Sequence, residues 1–207
     1  MISLTAPAAA ATFDIGTTNW SGSFPGQGSY NRTVDNINVN ATAERIVVIN
    51  GGDPFAVFSG NDSPAEPRTY TYNFPPGADV SIDFFQISLN STSNPEAVGN
   101  FNPPPDNINL GIGHSFDVND NAIVGTAQAD VNAVTTLSWS GVNSVSFDIA
   151  SNGNVALIGH RNLVVNAEIA PRAVPILPPM ALVLLSLAFF TAALNYYKRQ
   201  RAQAQVS

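Results

Sequence analysis

The stretch DVNDN sets Asp117, Asn119 and Asn121 at alternate positions, the opening spacing of a loop that holds calcium through oxygen ligands. With the neighbouring carboxylate of Asp120, the candidate calcium ligands are Asp117, Asn119 and Asp120. Ala122 stands where an EF-hand needs glycine and Gln128 where it needs its closing glutamate, so any calcium would be held by a different kind of loop. The plain alternative for the same residues is an Asn/Asp turn. His114 and His160 are the histidines of the chain, far apart and each beside glycine, with no G-x-S-x-G elbow to accompany them. Surface or strand-end positions are expected for both rather than a Ser/His/Asp triad. GIGH, from Gly111 to His114, is too short for a phosphate loop. Trp20, Tyr30, Tyr70, Tyr72 and Trp139 have the flat faces on which sugar rings stack, and equally the bulk that fills a core. Glycoside hydrolysis would require two carboxylates facing each other across a cleft. There is no cysteine, hence no disulfide, no thiolate metal site and no cysteine nucleophile.

These residues are carried on short strand signals. INVNATA (Ile37 to Ala43), RIVVIN (Arg45 to Asn50), FAVFS (Phe55 to Ser59) and RTYTYNF (Arg68 to Phe74) are separated by Gly, Asn, Asp and Pro turns. In DVSIDFFQISL the apolar set Val80, Ile82, Phe84 changes phase to Phe85, Ile87, Leu89, which predicts a β-bulge between Phe84 and Phe85. Asn90 to Asn107, with Pro103, Pro104 and Pro105, reads as a long surface loop. AIVGTA, VTTLSW and SVSFDIA return to strands, and in the last of these Val145, Phe147 and Ile149 alternate with Ser144, Ser146 and Asp148, giving one wet face. Asn152-Gly153 predicts a hairpin into NVALIG, followed by LVVNAEI. The fold expected is all-β: an antiparallel two-sheet sandwich, jelly-roll-like, over residues 12–170.

Charge and hydropathy then set the ends apart. The 15 acidic residues all lie at or before Glu168, against Arg32, Arg45, Arg68 and Arg161 in the same region and Arg172 just beyond it, and the net charge is −7. Such a body offers no basic surface to phosphates, so nucleic acid is not an expected partner. LTAPAAAATFD resembles the end of a secretory signal, with small residues before a cleavage point near Ala11 and Thr12, so residues 1–11 are expected to be its remnant; the basic n-region and apolar core that complete such a signal are not within it, and an in-frame pair upstream of Met1 would settle export. Near the other end, Pro178 and Pro179 suit a helix start. The 19 residues from Pro179 to Tyr197 would span about 28 Å, close to the hydrocarbon thickness of a bilayer. Leu182, Leu184, Leu185, Leu187, Phe189, Phe190 and Leu194 supply the apolar membrane helix, 179–197. Tyr196 and Tyr197 fall at the interface, and Lys198, Arg199 and Arg201 form a basic stop that places the tail 198–207 in the cytoplasm and the body outside.

The order of Val174-Pro175, a further Pro178, an apolar helix and an Arg-rich cluster resembles the PEP-CTERM and VPLPA-CTERM sorting signals of Gram-negative bacteria, with 171–178 as linker and motif. The strands in SVSFDIASNGNVALIGHRNLVVNAEI also resemble the closing strands of such surface proteins. The resemblance implies export, membrane retention and handling by an exosortase, in settings where exopolysaccharide is made. It departs from the pattern where Ile176 and Leu177 both stand before Pro178, and where AQAQVS follows the basic cluster. The function expected is that of a non-enzymatic, membrane-anchored protein of the cell envelope, at the cell surface or in the extracellular matrix, with membrane, exosortase and surface polysaccharide as partners. The alternative is a carbohydrate-binding module without a cofactor, or one assisted by calcium.

Overall fold

A computed structural model describes residues 8–47, 57–59, 67–87, 96–126, 133–150, 158–168 and 186–192. The chain divides into two compact units, Met1–Ala170 and Pro171–Ser207. The described residues of the first are mostly antiparallel β-structure. Its strands are β1 (Ala8–Phe13), β2 (Trp20–Gly22), β3 (Gly26–Val34), β4 (Ile37–Ile46), β5 (Val57–Ser59), β6 (Arg68–Phe85), β7 (Ala97–Asn102), β8 (Asn107–Asn109), β9 (His114–Asp117), β10 (Ala122–Gly125), β11 (Val134–Ala150) and β12 (Ile158–Glu168).

Two of these strands organise the rest. β6 and β11 are 18 and 17 residues long and pair with each other over nearly their full length. The sequence suggested two strands in each place, because Pro75-Pro76-Gly77 and Gly141 look like breaks. The chain instead bends there without leaving the ladder. Gly77 (φ 75°) and Gly141 (φ 66°) take left-handed conformations that a side chain would resist, and the register shifts on either side of Val142. The bend is pinned by the Gly77 amide donating to Asn143 Oδ1 at 3.1 Å and the Gly141 amide donating to Asp79 Oδ1 at 3.0 Å.

Each half of the bent pair collects different neighbours. The 68–74 half of β6 and the 144–150 half of β11 lie within the order β2-β3-β4-β6-β11-β7-β10-β9. The other halves take β12 beside β6 and β8 beside β11, with β1 and β5 beyond β12. Side chains from the two halves meet: Phe147 packs edge-on to Phe84 at 5.0 Å, and His160 of β12 lies 5.0 Å from Tyr70. One continuous sheet is therefore folded over a single apolar core, which gives a sandwich-like form.

The core follows the period-two pattern. Ile37, Val39, Ala41 and Ala43 of β4, Tyr70, Tyr72, Phe74, Ala78, Val80, Ile82 and Phe84 of β6, and Val145, Phe147 and Ile149 of β11 are all buried. The expected bulge between Phe84 and Phe85 is absent. Both residues stay in register against β11 and β12, so Phe85 points to the opposite face and lies outside the core cluster. It is covered there by the Arg161 guanidinium, 4.8 Å from the ring centre, and its ring fills the space left by Gly159 directly opposite. Gln86, at φ 60°, then returns Ile87 to the core. The bulge lies instead in the partner, where β12 shifts register between Arg161 and Val164 around Asn162 (φ 52°).

One further expectation is corrected. Asn90 to Asn107 is not one loop, since Ala97–Asn102 forms β7, pairing with β10 and β11 and burying Val98 and Phe101. Ala8–Ala11 belong to β1 and pair with Val165–Glu168, and Ala11 and Phe13 are buried. The Asn152-Gly153 turn lies outside the described residues.

In the second unit the described part is a helix over 186–192. Leu187, Phe189 and Phe190 are exposed by 55, 70 and 66 %. The Thr191 hydroxyl donates back to the carbonyls of Leu187 and Ala188, both at 2.9 Å, so its polarity is met within the helix. Among the described residues no helix is long and apolar enough to cross a membrane. The remainder of 179–197 lies outside the described residues.

Candidate functional site

The five aromatic residues considered for sugar stacking are core residues. Trp20, Tyr30, Tyr70, Tyr72 and Trp139 are each at most 6 % exposed. Their polar atoms are matched internally. Trp20 Nε1 donates to the Ile15 carbonyl and Trp139 Nε1 to the Pro103 carbonyl, both at 2.9 Å. The Tyr30 hydroxyl donates to the Asp14 carbonyl at 3.1 Å, and that of Tyr70 donates to the Arg45 carbonyl. Burial pushes the Tyr30 phenol up to about 12. None of the five presents a ring face to solvent.

Both histidines are buried; His114 stands at a strand end, as expected, whereas His160 lies within a strand, contrary to the surface or strand-end position expected of it. His114, at the start of β9, shares a hydrogen bond through Nδ1 with the Thr135 hydroxyl at 2.7 Å, and that hydroxyl also accepts the Gly111 amide at 2.9 Å. The contact closes the turn leading into β9. His160 sits inside β12, fully buried, with Nε2 and the Tyr72 hydroxyl 2.7 Å apart. Its Nδ1 has no hydrogen-bond partner among the described residues. Tyr70, Tyr72, Phe84 and Phe147 surround the ring, with centroid separations from 5.0 to 5.9 Å. Removal from water lowers the His160 pKa to about 3 and raises that of Tyr72 well above its ordinary value, so both are neutral at physiological pH.

Of the candidate calcium ligands, Asp117 closes the β9–β10 turn, with its Oδ1 accepting the amides of Asn119 at 2.9 Å and Asp120 at 3.4 Å. Asn119 and Asp120 are exposed and line a cleft. Val174, Pro175, Pro178, Leu182, Leu184, Leu185, Leu194, Lys198, Arg199 and Arg201 lie outside the described residues. Leu187, Phe189 and Phe190 fall in the 186–192 helix.

What the structure assembles is a polar outer face. Ser21, Ser29, Thr42, Thr71, Ser146 and Asn102 stand opposite one another in a single row from β2 to β7. Asn31, Asn40, Asn73 and Ser144 form the next row. Two open clefts cross this face. One, of about 310 Å³, is lined by Gln27, Thr42, Glu44, Thr69 and Thr71. The other, of about 360 Å³, is lined by Asn100, Asn119, Asp120 and Asp148 together with Pro67 and Gly99.

A hydrogen-bonded line joins them. Glu44 Oε2 accepts the Thr69 amide at 3.0 Å, the Thr69 hydroxyl donates to Asp148 Oδ1 at 2.7 Å, and Asn100 Nδ2 donates to Asp148 Oδ2 at 2.8 Å. Asn100 reaches Asp148 because β7 carries an extra residue here. Ser146 and Asp148 of β11 face Asn102 and Gly99, and Asn100 takes φ 52° in the bulge. The wet alternation of Ser144, Ser146 and Asp148 was legible in the sequence; the neighbours that turn it into a cleft were not. No family model matches the chain, and no curated protein matches it.

Proposed function

We propose that this chain is an exported, non-enzymatic protein of the bacterial cell envelope, held to the membrane by its C-terminal segment with the β-body outside. In this reading the body is a jelly-roll-like two-sheet sandwich. Val174, Pro175 and Pro178 with the apolar stretch and Lys198, Arg199 and Arg201 act as a sorting signal of the PEP-CTERM kind, addressed to an exosortase. The observation that carries the reading is a separate second unit whose helix leaves Leu187, Phe189 and Phe190 exposed, within a continuous apolar stretch of sequence closed by basic residues. Side chains of that kind favour lipid over water by a few tenths of a kcal/mol each, roughly 0.3 to 0.6 at a helix centre. Fractionation tests it: the full chain is expected with membranes and a chain ending at Arg172 in the soluble fraction, and equal solubility of the two would refute the anchor.

The second reading, a carbohydrate-binding module, is favoured by the two polar clefts. It does without the aromatic platform, since those rings lie in the core. Calcium, if it assists, would act where Asn119 and Asp120 border the second cleft.

A further inference from the structure

The line from Glu44 to Asn100 crosses β4, β6, β11 and β7, so it runs across the strands rather than along one. Three strand spacings make it about 14 Å long, the reach of a short oligosaccharide. Its polar groups are held before any ligand arrives. Asp148 takes one hydrogen bond on each carboxylate oxygen, from Thr69 and from Asn100, which fixes the plane of the carboxylate. A carboxylate oxygen has a second lone pair for a further donor. Glu44 is likewise oriented by the Thr69 amide, is exposed, and lines the first cleft. Ordering costs at such a site are low because these side chains are already placed.

Charge restricts the occupant. Glu44, Asp120 and Asp148 line the two clefts, and among the described residues neither lysine nor arginine lines either of them. An anionic polymer would meet uncompensated repulsion there. The surrounding rows of Ser21, Ser29, Thr42, Thr71, Ser146 and Asn102 are uncharged, offering hydroxyls and amides that both donate and accept. A chain bearing many neutral hydroxyls matches both features: its O–H groups donate to the fixed carboxylates, and its oxygens accept from Asn100, Thr42 and Thr71.

We propose that this face binds a neutral linear polysaccharide laid across the strands along Glu44, Thr69, Asp148 and Asn100. The inference rests on the carbohydrate-binding reading and supplies its site and ligand class. The test uses the full chain in detergent micelles, titrated calorimetrically with neutral β-glucan and galactan oligosaccharides, anionic alginate oligomers and cationic chitosan oligomers. Saturable binding of a neutral oligosaccharide is expected, persisting in EDTA, weakened at least tenfold by Asp148→Asn and by Glu44→Gln, and unchanged by Thr33→Ala away from the clefts. Glu44 is exposed, so its variant keeps the test open if Asp148→Asn does not fold. Absence of binding to every oligomer would overturn the carbohydrate reading itself. Neutral binding untouched by Asp148→Asn and Glu44→Gln in folded protein would overturn the site alone. Preference for alginate or chitosan, or loss of binding in EDTA, would overturn the ligand class.

Discussion

Acid should loosen this fold through one residue. Burial carries the His160 pKa from 6.5 down to about 3. In the unfolded chain the imidazole gains its proton as pH falls through 6.5; in the folded chain it stays neutral until about pH 3. Between these values the unfolded state binds more protons, so stability falls as pH falls. Each unit of separation is worth about 1.36 kcal/mol. The loss from this group alone reaches about 2 kcal/mol at pH 5, and approaches about 5 kcal/mol near pH 3. The physical origin is removal from water within the wall of Tyr70, Tyr72, Phe84 and Phe147. The comparison is with His160→Phe. That variant loses the Tyr72 hydrogen bond at a cost of about 1 to 3 kcal/mol, which does not vary across this pH range. Urea unfolding of both proteins from pH 7.5 to 4, followed by tryptophan fluorescence, isolates the slope. The wild type should lose more stability on acidification than the variant, by about 2 kcal/mol at pH 5. Parallel curves, or a His160 imidazole resonance that titrates near 6.5, would refute the reasoning.

Two further outcomes follow from the fold. Phe101→Ala should cost about 3 to 5 kcal/mol in urea unfolding, because Phe101 packs against Phe84, Trp139 and Phe147; a loop residue would cost far less. A chain beginning at Thr12 should lose on the order of 2 to 4 kcal/mol, at about 1 kcal/mol for each ladder hydrogen bond lost with Ala8–Ala11, and an unchanged urea midpoint would show that β1 adds nothing.

Side-chain alternation was the most legible level of the sequence. It marked the buried and wet faces of SVSFDIA, because period-two patterning is local and one face of that strand meets the core. Turn chemistry misled where tertiary pairing overrode it. Pro75-Pro76-Gly77 and Gly141 are local breaks, yet two strands that bend together keep their ladder through them. β7 was hidden because Val98 and Phe101 straddle a bulge and do not keep a simple two-residue spacing. The phase change at Phe84 and Phe85 was read as a bulge that would keep β6 feeding the core, whereas Phe85 turns to the opposite face and the register shift lies in β12, since the pattern of one strand says nothing of a shift in its neighbour. His160 was misplaced for a related reason: what buries it is an aromatic enclosure drawn from residues far along the chain. The clefts were invisible because Glu44, Thr69, Asp148 and Asn100 come from four strands, and their adjacency exists only in the strand order.

The position of β12 bears on how the body would withstand traction. β12, ending at Glu168, is the last strand of the first unit in chain order, so under the proposed anchoring a pull from the C-terminal side would enter at its end. Val164, Val165 and Asn166 are clasped on one side by Thr12, Ala11 and Ala10 and on the other by Ser81, Val80 and Asp79. A force directed along β12 must shear both rows together before the strand slides. With β1 gone, one row would carry the whole load.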